Sequence, residues 1–196
     1  RLTFPDPSLN ELNAGNTSGQ TNSGDANAWA LRSYFGRVAY NYKGKYLFEA
    51  NARYDGTSRV SEKNRWGLFP SVSGGWKISD EKLIRDKFSW IDNMKLRGSL
   101  GVLGNQAIGN YSYQDILNFT QYSFGSTETP GVVLTNLTDP NLRWESTRVT
   151  NLGLDMDIYK GLFGITVDWF KKNTYDILAT VPVPASLGLI GPVSNN

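Results

Sequence analysis

An all-β fold, a meander of about six long antiparallel strands, is what this 196-residue sequence predicts. Apolar and polar side chains alternate with a period of two through much of residues 30–178. Aromatic residues make up 13% of the chain and stand beside 20 glycines, a mixture that suits strands joined by turns better than packed helices. Minimal turns also alternate with long connections along the chain.

In the first strand Tyr34, Gly36, Val38, Tyr40 and Tyr42 share one parity, against Ser33, Arg37 and Asn41. Lys43-Gly44-Lys45 is a minimal turn into a second strand, where Tyr46, Phe48, Ala50, Ala52 and Tyr54 alternate with Glu49, Asn51, Arg53 and Asp55. A loop near 56–67 follows. The third strand sets Val72, Gly74, Trp76 and Ile78 against Ser71, Ser73, Gly75 and Lys77, with Pro70 near its start, where a missing N–H is tolerated. Within the connection 79–93, acids ahead of Lys and Arg are compatible with a short helix near 80–87. The fourth strand sets Met94, Leu96, Gly98, Leu100 and Val102 against Lys95, Arg97 and Ser99. The segment 104–144 reads as the longest irregular stretch, and Gly101 to Gly104 with Asn105 as a turn at the strand exit, since a phosphate-cradling loop would need a Lys-Ser/Thr ending. A last hairpin pairs 151–159 with 162–172 across Lys160-Gly161: Leu152, Leu154, Met156 and Ile158 oppose Asn151, Asp155 and Asp157, and Phe163, Ile165, Val167 and Trp169 oppose Thr166, Asp168 and Lys172.

Two architectures use this alternation. A soluble surface-exposed β-sandwich, such as a carbohydrate-binding module, turns the apolar face inward, whereas an outer-membrane barrel turns it to lipid and lines a wet lumen with the charged face. Strands of ten or more residues suit a tilted span of about 9–11 residues. Short turns at one end and long loops at the other match the asymmetry of such barrels. Aromatic residues gather at strand ends, with Tyr40, Tyr42, Tyr46 and Phe48 by one turn and Tyr54, Trp66, Phe69 and Trp169 toward the other end, as headgroup-level girdles require. Together these favour the membrane barrel over the sandwich, which would bury Tyr34, Val38, Phe48, Ala52, Leu96, Leu154 and Val167 under a second sheet.

The absence of Cys and His excludes disulfides, thiolate chemistry, Ser-His triads and nearly all zinc sites. A net charge of +2 gives no argument for a nucleic-acid partner. No apolar run reaches the length of a membrane helix. Residues 1–29 read as a loop segment inside a larger protein, 30–178 as the strand-bearing part of a barrel, and 179–196 as a second loop segment.

The run Arg53-Tyr54-Asp55-Gly56-Thr57-Ser58-Arg59, then Asn64-Arg65-Trp66-Gly67 and Phe69-Pro70-Ser71, resembles the SusC/RagA family of TonB-linked outer-membrane transporters of Bacteroidota. Gly75-Trp76, Leu96-Arg97-Gly98-Ser99, Gly101 with Gly104-Asn105-Gln106, Trp144-Glu145, Asn151-Leu152-Gly153-Leu154-Asp155, Lys172-Asn173 and Asp176-Ile177-Leu178 are similar in order and spacing, so the likeness runs from about Ser33 to Gly188. The resemblance implies a 22-stranded barrel in the outer membrane, of which this chain supplies about six strands. It further implies import of glycans or peptides driven by TonB through a region outside this chain, a SusD-type surface lipoprotein as partner, no cofactor and no enzymatic activity, with the loop segments 1–29 and 179–196 and the loops near 56–67 and 104–144 extracellular.

Candidate lumen-facing residues are Glu49, Arg53, Asp55, Lys95, Arg97, Asp155 and Asp157. Asp155 and Asp157 share a strand face about 7 Å apart, a spacing that a glycosidase pair could exploit and that a hydrated wall explains more simply. Candidate loop contacts to sugar rings or peptide side chains are Tyr111, Tyr113, Phe119, Tyr122 and Phe124.

Overall fold

The computed structural model describes Gly24 and residues 26–196, so the expected loop segment 1–29 lies largely outside the described residues. In chain order the strands are β1 (Leu31–Tyr42), β2 (Tyr46–Thr57), β3 (Trp66–Lys77), β4 (Ile91–Asn105), β5 (Leu117–Phe124), β6 (Thr127–Leu134), β7 (Glu145–Ile158), β8 (Phe163–Tyr175), β9 (Leu178–Thr180) and β10 (Val193–Asn195), with a short helix α1 (Lys82–Lys87) between β3 and β4. Six of them form one antiparallel sheet in the order β1-β2-β3-β4-β7-β8, the expected meander. The turns that close β1–β2 and β7–β8 use positive φ at Lys43 and Gly44 and at Tyr159, Lys160 and Gly161, the twist that a tight hairpin demands.

Register puts the apolar positions on one face. Tyr40 opposes Phe48, Ala50 opposes Val72, Trp76 opposes Leu96, Leu96 opposes Leu154, and Leu154 opposes Val167. No second layer covers this face among the described residues: Val38, Phe48 and Val167 are 66%, 50% and 58% exposed. The sandwich alternative is thereby excluded.

Aromatic rows bound the face. Tyr42, Tyr46 and Trp76 stand beside the β1–β2 turn, with ring centroids 6.3 and 6.4 Å apart in succession. Tyr34 and Tyr54 flank Trp66 at 6.0 and 4.8 Å toward the opposite end. Trp66 and Trp76 sit ten residues apart on β3, about 33 Å along a strand. A tilt of about 40° reduces that to a band about 25 Å tall, the height of an outer-membrane hydrocarbon belt. Phe69 departs from the girdle expectation. It pairs with Arg53 on the other face and packs edge-on against Trp144 at 5.2 Å, because its parity is that of Ser71 and Ser73.

The core proper lies at the loop end of the sheet, where Val60, Ile108 and Leu142 are buried against Tyr113, Leu178 and Val193. The stretch expected to be irregular contributes the β5–β6 hairpin, in which Leu117 opposes Leu134 and Phe119 opposes Val132 around a turn at Gly125. Pro130 is accommodated because a two-stranded hairpin leaves outward N–H positions free. Gly101 and Gly104 belong to β4 rather than to a turn: the Phe69 ring occupies the space where a Cβ at Gly104 would sit, at 2.1 Å. Extended glycine here serves ring packing, not chain reversal.

Candidate functional site

The polar face of the six-stranded sheet holds Glu49, Arg53 and Asp55 from β2, Lys95 and Arg97 from β4, and Asp155 and Asp157 from β7, all in one parity class of the register. Strand alternation places them so, since each lies between two residues of the opposite face.

Arg97 is the organising group. Its Nε donates to Asp155 Oδ2 at 3.0 Å and its Nη2 to Asp168 Oδ2 at 2.8 Å, so one guanidinium ties β4, β7 and β8 together. Gly153 makes this possible, because a Cβ there would fall 2.5 Å from Arg97 Cζ. On the other flank, Arg37 pairs with Glu49 at 2.6 Å and Asn51 donates to the same carboxylate at 2.9 Å. Arg53 pairs with the buried Asp55 at 3.1 Å. Asp157 accepts from Asn93 at 3.1 Å. Asp155 and Asp157 are therefore engaged separately, one by a cation and one by an amide, and do not form an acid-base pair.

Between the two flanks β3 and β4 carry Ser73, Gly75 and Ser99, and these small side chains leave a trough of about 450 Å³ walled by Leu47, Glu49, Lys95, Arg97 and Asn151. The trough presents an ammonium, a guanidinium, a carboxylate and hydroxyls over an apolar floor, a surface suited to weak, exchangeable polar contacts. No cluster with metal-ligand composition occurs among the described residues. Arg37 and Asp168 join the candidate residues on this face, and their parity with Glu49 and Thr166 is the signal in the sequence for both.

At the loop end the candidate aromatics separate. Tyr113 packs on the small core. Tyr111 donates to Ala28 O at 3.1 Å and lines a smaller hollow with Asn110, Gln114 and Asn136. Phe119 lies on one face of the β5–β6 hairpin, Tyr122 and Phe124 on the other, and all three are exposed. The structure does not gather the five into one patch. It does gather the runs that carry the family resemblance: Trp144 Nε1 donates to Arg65 O at 2.9 Å, Glu145 accepts from Asn105 Nδ2 and from the Leu178 N–H, each at 3.0 Å, and Arg143 pairs with Asp176 at 2.5 Å. Segments distant in sequence thus close one cap over the strand ends.

At the turn end Glu81 links three groups. Tyr46 Oη and Trp76 Nε1 donate to Oε1 at 2.9 and 3.3 Å, and Lys45 Nζ to Oε2 at 3.4 Å. The Tyr46 hydrogen bond, then those of Trp76 and Lys45, hold this carboxyl below its usual range.

Comparison with known proteins agrees with this geometry. The family model described as TonB dependent receptor-like, beta-barrel, matches residues 1–196. TonB-dependent receptor P39 of Formosa agariphila is 36% identical over 181 residues, 89% of this chain and 17% of that protein. TonB-dependent receptor SusC of Bacteroides thetaiotaomicron is 35% identical over 175 residues, 85% of this chain and 17% of that protein. The RagAB peptide importer in its "closed-closed" state superposes with a TM-score of 0.77 at 28% identity, over 85% of this chain and 18% of that one. Its "open-open" state gives 0.75 at 26% identity, over 90% and 19%. The chain thus spans less than a fifth of the length of each of these relatives.

Proposed function

We propose, from the premise that this chain belongs to the TonB-dependent receptor β-barrel family and is of its SusC/RagA type, that it forms part of the wall of an outer-membrane importer for oligosaccharides or peptides. The apolar face meets lipid. The face carrying Glu49, Arg53, Asp55, Lys95, Arg97, Asp155 and Asp157 lines the passage, and the loops near 56–67 and 104–144 look outward from the cell. A SusD-like lipoprotein sits over that loop end, and TonB supplies energy through a region outside this chain. The RagAB structures, described as those of a peptide importer, support the two-protein arrangement.

One observation carries the reading: the two faces of a single uncovered sheet have opposite chemistry, and aromatic rows bound the apolar one at membrane height. The chain has no Cys, so single cysteines can be read without background from this segment. In the full-length receptor in outer membranes, Val72→Cys should resist a water-soluble maleimide and react with a lipid-soluble one. Ser73→Cys, one residue away, should react with the water-soluble reagent. Equal water-phase labelling at both positions would refute the lipid-facing assignment. Uptake of labelled oligosaccharides and peptides by cells with and without the receptor gene, with recovery of any co-purifying lipoprotein, tests cargo and partner.

A further inference from the structure

The turn end of the sheet carries a second surface, apart from the polar face proposed to line the passage. It is built from α1, the entry of β4 that follows it and the β7–β8 turn, and two contacts lock the β4 entry to the turn: Trp90 stacks on Tyr159 at 6.0 Å, and the Gly161 N–H donates to Asp92 at 3.0 Å. Its charges divide in two. Lys45 and Lys77 are consumed by Glu81 and Asp80 at 3.4 and 3.3 Å. Lys82, Arg85, Lys87 and Lys160 are exposed and have no carboxylate within 4.0 Å among the described residues, while Asp86 and Asp92 are the remaining acids there. Among these cations stand Leu83 and Leu162, 77% and 71% exposed. Leucines this open to water at the end of a membrane span need another environment.

Unpaired cations around open Leu and aromatic side chains are the composition of a surface that lies in a lipid headgroup layer. Position agrees. Glu81, one residue before α1, is hydrogen-bonded to Tyr46 and Trp76, which belong to the apolar face, so the patch continues directly from the lipid-contacting band. We propose that this foot binds the phosphate headgroups of anionic phospholipid in the leaflet at the short-turn side of the membrane. Leu83 and Leu162 enter the acyl boundary, and Lys82, Arg85, Lys87 and Lys160 contact the phosphates.

The inference rests on the membrane reading of the sheet, and its test separates the two. The full-length receptor is reconstituted in vesicles of phosphatidylethanolamine with phosphatidylglycerol, extracted gently, and its retained lipid counted by native mass spectrometry. The triple variant Lys82→Gln, Arg85→Gln, Lys87→Gln should hold phosphatidylglycerol about a hundredfold less tightly, since each basic group near an anionic surface contributes about fivefold independently. Lys63→Gln, which removes one such charge at the loop end, should retain it as the parent does. A Lys82→Arg, Lys87→Arg variant should keep retention, which guards against misfolding as the cause. Unchanged retention in the triple variant, equal retention of phosphatidylethanolamine by the parent, or tighter binding of a polyglutamate peptide than of phosphatidylglycerol would overturn the foot. If Val72→Cys stays shielded in the same preparation, the lipid-facing sheet survives that failure.

Discussion

The indole N–H of Trp144 reaches the carbonyl oxygen of Arg65 at 2.9 Å, which fastens the residue just before β7 to the residue just before β3. Between these strand starts lies Phe69, edge-on to Trp144 and seated over Gly104. The cap is therefore clamped by an edge-on ring pair whose floor is glycine and whose polar tip is satisfied by backbone.

Trp144→Phe keeps an aromatic ring but removes the donor, leaving the Arg65 carbonyl with the Thr57 N–H alone, at a cost of about 1 kcal/mol. Gly104→Ala acts from below: a Cβ 2.1 Å from the Phe69 ring pushes that ring off Trp144, costing about 1–3 kcal/mol. Both should speed proteolysis within 104–144 in the folded receptor without altering its membrane insertion. Parental cleavage rates in both variants would show that the clamp does not hold the cap.

Arg97 sits between two carboxylates, Asp155 and Asp168, with its side chain about a third exposed. Solvent discounts each pair, so the larger effect of Arg97→Met is the repulsion left between the two acids. The variant should lower the thermal midpoint of the purified receptor, and adding Asp168→Asn should recover part of the loss. Gly153→Ala should resemble Arg97→Met, because it expels the same guanidinium. A double variant no better than the single one would mean that the acids are not coupled through Arg97.

Val72 lies near the middle of the apolar band on β3, and Ser73 faces the other way. A lysine at Val72 faces hydrocarbon and should cost about 2–4 kcal/mol in folding from denaturant into lipid vesicles, against roughly 0.5 kcal/mol or less at Ser73. Equal costs at the two positions would contradict the assignment of faces.

How far this was legible in the sequence varies with the range of the interaction. Period-two alternation is a local property, so β1, β2 and the β7–β8 hairpin could be read from Tyr34 to Tyr54 and from Leu152 to Trp169. Their pairing follows because tight turns at Lys43–Lys45 and Lys160–Gly161 leave no other neighbour. The β5–β6 hairpin was obscured by Gly125, Gly131 and Pro130, which read as breakers although they sit at a turn, under Tyr122 and at an open edge. Phe69 looked like a girdle residue because composition by strand end ignores parity. The Arg97 clamp was half legible: Arg97 and Asp155 share a face by alternation, but that Gly153 clears the path is visible only once the register is set. The cap contacts of Trp144, Glu145 and Asp176 join segments with no local pattern between them.

Glu81 gives a test of the turn end in pH. Hydrogen bonds from Tyr46, Trp76 and Lys45 favour its ionised form in the fold, so its pKa there lies below that of the unfolded chain. A depressed carboxylate contributes stability that is complete above the unfolded pKa and fades as pH falls through the folded one. Glu81→Gln can still accept hydrogen bonds but has no charge to lose. The parent receptor should therefore unfold at higher denaturant than Glu81→Gln at neutral pH, and the gap should close as the solution is acidified below the ordinary glutamate range. A gap that stays constant through that acid window would mean that shape rather than charge at Glu81 holds the aromatic row, and that Tyr46 and Trp76 need no anion between them.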